Sequence, residues 1–132
     1  MVDMTPETTV LTLAALLWVV QFIAYLAVGH GKIDLNKAIG PRDTEVDRPG
    51  ASGRMHRALS NMTEGLTLFA IAALVITVTG QSTSFTATAA WIFLIARVLY
   101  VPAYALGWTP WRTIIWMAGF LATVAMLLAA LF

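Results

Sequence analysis

The amino-acid sequence predicts an all-α integral membrane protein, a bundle of four helices with antiparallel neighbours, and three observations carry that prediction. Hydrophobic residues make up 59% of the 132 while charged residues make up 11%, and the mean hydropathy is +0.79. A soluble domain this small buries only part of its surface and has no interior that could hide so much apolar side chain, so lipid is its solvent. The apolar residues gather into four runs that approach the roughly 20 residues a helix needs to cross a bilayer. Two of the three connections between runs are short turns, which sets consecutive helices antiparallel.

The first run extends from Val10 to Val28, with Thr12 and Gln21 as its main polar interruptions. Its flank carries Asp3 and Glu7 and no Lys or Arg, unlike the basic start of a signal peptide. A helix over about residues 8–29 is expected, without a charge in it. The second run, Gly65 to Thr79, has only fifteen residues. It spans a membrane only if the helix starts near residue 54 and takes in the polar residues just upstream. The third run, Phe85 to Leu106, contains Arg97, and the fourth, from Arg112 to Phe132, is apolar after its first two residues, so helices are expected over 85–106 and 111–132. Residues 29–53 are rich in Gly, Pro and Asp and read mainly as loop. Gly80 to Ser84 and Gly107 to Pro110 are the short turns, and no repeat or second domain interrupts residues 1–132.

Several classes of function are excluded or disfavoured. There is no cysteine, hence no disulfide, no thiolate metal site and no cysteine nucleophile. No metal is expected, and a net charge of +1 gives no reason to expect nucleic acid. Lys32, Lys37, Arg42, Arg48, Arg54 and Arg57 all belong to the first loop and its junction with helix 2, and Arg112 follows the third loop, whereas the N-terminal segment, second loop and C-terminus have no Lys or Arg. The positive-inside rule then puts the first and third loops in the cytoplasm and both termini outside.

The informative stretch is GRMHRALSNMTEG, at the mouth of helix 2. At about 100° per residue, Arg54, Arg57, Asn61 and Glu64 fall within about 80° of one another, on one face. Arginines alone at a helix mouth are membrane anchors and Glu64 could serve in a structural ion pair. Glu64, however, stands a full turn inside the run, and ionisable groups at such depth face a bundle interior or wet cavity and mark function. Helix 3 repeats the pattern in ARVLYVPAY, where Arg97, Tyr100 and Tyr104 share a face within about 60°. Either tyrosine singly reads as an interfacial belt residue; with Arg97 they form a second polar stripe, which Pro102 loosens locally. Guanidinium forks suit carboxylates, a glutamate suits an ammonium, and a phenol can donate to an anion or thiolate. The set is complementary to a small zwitterionic peptide.

RMHRALSNMTEG resembles the second-helix signature of the MAPEG family, the membrane-associated proteins in eicosanoid and glutathione metabolism, in the form R-A-x-x-N-x-x-E at Arg57, Ala58, Asn61 and Glu64. ARVLYVPAY is similar to the family's third-helix arginine followed by two tyrosines, at Arg97, Tyr100 and Tyr104. GPRD ahead of helix 2 looks like bacterial members, which implies a bacterial inner membrane. The resemblance implies a homotrimer among membrane lipids, with glutathione as co-substrate between subunits near the cytoplasmic side. Arg54, Arg57, Asn61, Glu64, Arg97, Tyr100 and Tyr104 would bind it. In leukotriene-forming members an arginine seven residues after the second tyrosine activates the thiol; here that place is Trp111, and Arg112 follows. By resemblance Arg112, with Tyr100 and Tyr104, takes the catalytic role. Gly65 stands where several glutathione-binding members carry tyrosine, and His56 projects away from the stripe as an interfacial residue.

Three functions follow. The first is a glutathione transferase or peroxidase acting on lipophilic electrophiles or hydroperoxides. The second is a non-catalytic lipid-binding or scaffold member of the same family. The third, a small four-helix drug exporter, is disfavoured because such exporters place their working glutamate within the first helix.

Overall fold

The computed structural model describes all residues except 1–2, 32–38, 41–47, 49 and 108. Its helices are α1 (Pro6–Gly29), α2 (Ala51–Val78), α3 (Ser84–Ala105) and α4 (Trp111–Leu131), and there is no strand among the described residues. All four are long and apolar enough to cross a membrane. Most of the loop between α1 and α2, with Lys32, Lys37 and Arg42, lies outside the described residues.

Local chemistry sets the helix ends. Thr5 caps α1 by accepting a hydrogen bond from the Thr8 N–H at 3.2 Å, and Pro6 occupies the first turn, where its missing N–H costs nothing. Thr83 and Thr86 form a reciprocal capping box at the start of α3. Gly80 (φ +68°) and Gly107 (φ +70°) follow the ends of α2 and α3 in left-handed conformations that a side chain would strain. Two helices begin earlier than the apolar runs indicate. α2 starts at Ala51 rather than near residue 54, and α1 starts at Pro6 rather than 8. Glu7 therefore belongs to the first helix and not to a polar flank: the Thr5 cap and Pro6 start the helix before its apolar part begins.

The helices surround a core in which Phe69 of α2 and Phe93 of α3 stack with ring centroids 4.2 Å apart, flanked by Ala72, Ala73, Ile76, Ala90 and Met126. The broadest contacts are α3 with α4 and α1 with α2; α2 and α3 also touch each other, while α1 and α4 lie on opposite sides and do not meet. The small residues let backbones approach: a Cβ on Gly119 of α4 would come within 3.3 Å of the Ala96 Cβ of α3. Large apolar residues such as Leu16, Val20, Ile23, Ile71, Ile95 and Leu121 are exposed around the outside, the surface expected of a protein solvated by lipid.

One end of the bundle joins α1, α2 and the α2–α3 turn. The Glu7 carboxylate is fully buried there and accepts hydrogen bonds from the Thr86 hydroxyl and from the Ser82 hydroxyl at 2.8 and 3.0 Å. The hydroxyls of Thr5 and Thr77 bond across α1 and α2 at 2.8 Å. At the other end, where α1 stops and α2 starts, the Tyr25 hydroxyl accepts from Arg48 Nε at 2.7 Å, and the Tyr25 ring lies 5.4 Å from that of His56.

Candidate functional site

The polar stripes of α2 and α3 converge at the end of the bundle opposite Glu7. Near the mouth, Arg57 Nε donates to the Tyr104 hydroxyl at 3.0 Å, and the Arg112 guanidinium lies over the Tyr104 ring, 5.0 Å from its centroid. Two cations thus meet on one phenol. Tyr100 packs 5.5 Å from Tyr104 and carries the Arg97 guanidinium on its face at 4.5 Å, so the two tyrosines link the three arginines.

Deeper in, Arg97 is only 3% exposed. Its Nη1 donates to Asn61 Oδ1 at 2.7 Å and its Nε to the Met62 thioether at 3.2 Å, but its Nη2 is buried with no hydrogen-bond partner. A charge this far inside a membrane bundle is costly unless its donors are met, and a thioether is a weak acceptor. Glu64 is exposed and, among the described residues, has no hydrogen bond or ion pair, although it lines the same cavity as Arg97. That cavity, about 210 Å³, lies between α2, α3 and α4. Asn61, Glu64, Arg97 and Thr123 form its polar side; Leu68, Phe93, Trp116 and Phe120 form the apolar one. Gly65 opens it, since a Cβ there would rest 3.8 Å from Arg97 Nη1.

The structure thus brings together Arg57, Asn61, Glu64, Arg97, Tyr100, Tyr104 and Arg112. Arg54 sits half-buried one turn before Arg57, and His56 turns to Tyr25, away from the stripe. The α4 wall of the cavity escaped the sequence reading. Its signal is the spacing of Arg112, Trp116, Gly119 and Thr123, which recur at helical intervals on one face of an otherwise aliphatic segment. Met62 and the deep environment of Arg97 had no such signal, because one methionine in an apolar helix looks like any core residue.

A family model described as the MAPEG family matches residues 7–132. The chain belongs to the MAPEG family. Comparison with curated proteins and with solved structures gives no match. The match spans all four helices, so as a MAPEG protein this is a multi-pass integral membrane protein of the glutathione and eicosanoid metabolism family. In this MAPEG chain the departure at Trp111 has a geometric counterpart: Trp111 is exposed at the first position of α4, while the next residue, Arg112, reaches Tyr104.

Proposed function

We propose that this protein binds glutathione at the Arg57–Tyr104–Arg97 stripe and acts as a membrane-bound glutathione transferase or peroxidase on lipophilic electrophiles or hydroperoxides. The observation that carries the reading is charge. Arg57, Arg97 and Arg112 converge through two tyrosines against the single carboxylate of Glu64, leaving a net charge of +2. Glutathione as its thiolate has two carboxylates, one ammonium and one thiolate, a net charge of −2. Length agrees as well: Arg57 and Glu64 are about 10 Å apart along α2 at ~1.5 Å per residue, and an extended tripeptide spans about 10 Å.

In this reading Arg57 pairs a carboxylate, Glu64 the ammonium, and Asn61 an amide. Arg112, on the Tyr104 ring, lowers the thiol pKa by favouring the anion. The thiolate then attacks the electrophilic carbon and the leaving group departs with the bonding pair. Subunits assemble as a homotrimer that shields Glu64 and the arginines from lipid, with the first and third loops cytoplasmic and both termini outside, in a bacterial inner membrane.

The deciding experiment is titration of the detergent-purified protein with glutathione, followed by calorimetry and by thiolate absorbance. Binding with a thiolate signal is expected. Binding without one removes the catalytic step and favours the second reading, a non-catalytic lipid-binding or scaffold member, to which the tryptophan at 111 and the glycine at 65 also point. No binding overturns the site.

A further inference from the structure

We infer that the bundle holds an internal water site between Gln21 of α1 and Arg97 of α3, and that Gln21 is a positioning residue for the Arg97 guanidinium. Among the described residues, the buried side-chain polar atoms without a hydrogen-bond partner are three: Gln21 Oε1, Gln21 Nε2 and Arg97 Nη2. Gln21 is 2% exposed and Arg97 3%. Orphaned groups are rare in folded proteins and costlier in a bilayer, where lipid offers no substitute partner.

The register of the helices puts the two residues within about one turn of each other. α1 and α3 run in the same direction. Glu7 meets Thr86 at one end, and at the other Val101 packs on the cluster that Tyr25 forms with Met55 and Leu59. Between those ties, Gln21 lies 14 residues after Glu7 and four before Tyr25, while Arg97 lies 11 after Thr86 and four before Val101, so their backbones lie within about one turn of each other, a gap that the long Arg97 side chain spans. Direction agrees too. Glu7 and Gln21 share a face of α1 within about 40°, and Thr86 and Arg97 share a face of α3 within about 20°, at ~100° per residue. Across α1 and α2, which are antiparallel, Trp18 Nε1 donates to Thr63 Oγ1 at 2.8 Å, which levels Gln21 with Ser60, next to Asn61 and Met62, the partners of the Arg97 guanidinium. An acceptor and a donor on the amide therefore face the region that contains a guanidinium N–H needing an acceptor. Water fits both roles: it accepts from Arg97 Nη2, exchanges hydrogen bonds with the Gln21 amide, and is the usual satisfier of such buried groups.

The positioning role rests on the glutathione reading of the stripe. With Nη2 held from behind, Nη1 stays on Asn61 and the guanidinium plane stays on Tyr100.

X-ray radiolysis in ¹⁸O-labelled water, with a scavenger for bulk radicals, tests the site without any ligand. Bound water yields hydroxyl radicals in place, and Met62, whose sulfur touches Arg97, is the adjacent probe. Met126, equally buried on α4, is the control. Met62 should be oxidised several-fold faster than Met126 in the parent protein, and Gln21→Leu should bring it to the rate of Met126, while Gln21→Asn, which keeps an amide there, should restore much of the difference. Equal rates for Met62 and Met126 in the parent overturn the water site, whether or not the variants fold. Undiminished Met62 labelling in a folded Gln21→Leu protein overturns the part assigned to Gln21. The positioning role predicts a several-fold rise in the glutathione Kd for Gln21→Leu, recovered in Gln21→Asn; an unchanged Kd overturns that role. A parent protein that binds no glutathione removes the role together with the reading beneath it, while the labelling still decides the water site.

Discussion

Two carboxylates lie on helices of this bundle, and the chain treats them in opposite ways. Glu7 is fully buried, and hydroxyls of Ser82 and Thr86 satisfy it. Glu64 lies exposed beside a cavity that also presents Arg97, yet among the described residues it has neither hydrogen bond nor ion pair. The contrast separates structure from function. At the Glu7 end the fold satisfies its own charge with neutral donors and closes α1 onto α3. At the Glu64 end it gathers three guanidiniums and leaves the carboxylate open beside a cavity, an arrangement whose cost water in the cavity or a bound ion offsets. Changes at the two ends should accordingly read out in different experiments.

The largest effect is expected at Arg112. If its charge stabilises the thiolate, Arg112→Ala should lower turnover by about 10²-fold, as loss of one preorganised charge-stabilising donor does, with a smaller change in glutathione affinity. Turnover with a chlorinated nitrobenzene and with cumene hydroperoxide measures this. Full activity in the variant transfers the role to Tyr100 or Tyr104. Next come Arg57→Ala and Glu64→Gln. Each removes one charge-assisted contact to the peptide, worth roughly 1.5–3 kcal/mol, or about 10- to 150-fold in Kd by calorimetry. Glu64→Gln should leave stability unchanged, since Glu64 has no hydrogen bond or ion pair among the described residues; parental binding in both variants would remove the site. A trimer is expected by native mass spectrometry in mild detergent, and a stable monomer would leave the open charges without a neighbour to cover them.

Glu7 should behave in the reverse manner. Glu7→Val strands the Ser82 hydroxyl and removes the tie to Thr86, at a cost of about 1–3 kcal/mol in unfolding free energy, read as a lower denaturation midpoint. Glutathione affinity should not change, because the two ends are separated by the length of the bundle. A Glu7 variant that folds normally but loses binding would show that the ends are coupled.

The four helices were legible because lipid imposes a crude and dominant code: length and apolarity decide, and Phe85 to Leu106 could hardly be anything else. The stripes of α2 and α3 were legible for the same reason in reverse, since Arg57, Glu64 and Arg97 stand out against an apolar background. What stayed hidden was pairing. Glu7 reads as part of a polar flank until the Thr5 cap is seen to start the helix ahead of it. Gln21 reads as a tolerated interruption until its register with Arg97 is known. No one-dimensional pattern encodes that Met62 is the acceptor for Arg97 Nε. Burial of a polar group depends on the neighbouring helix, and sequence periodicity gives only the face on which the group stands.

The smallest predicted effects compare two glycines, one at the open site and one in the closed packing. A Cβ at Gly65 meets Arg97 Nη1 at 3.8 Å, ordinary contact, so Gly65→Ala relieves the helix of a flexible residue without crowding anything. The expected gain is about 0.5–1 kcal/mol, from backbone entropy alone. A Cβ at Gly119 comes within 3.3 Å of the Ala96 Cβ and 3.8 Å of Phe93. There α3 and α4 must separate by a few tenths of an ångström along their whole contact, and overpacking of this kind costs roughly 1–3 kcal/mol. The same substitution should therefore stabilise at residue 65 and destabilise at 119, measured by reversible unfolding in one detergent without ligand. Equal gains at both positions would mean that α3 and α4 are not held together by small-residue packing, and that the Trp116 wall of the cavity is free to move away from Arg97.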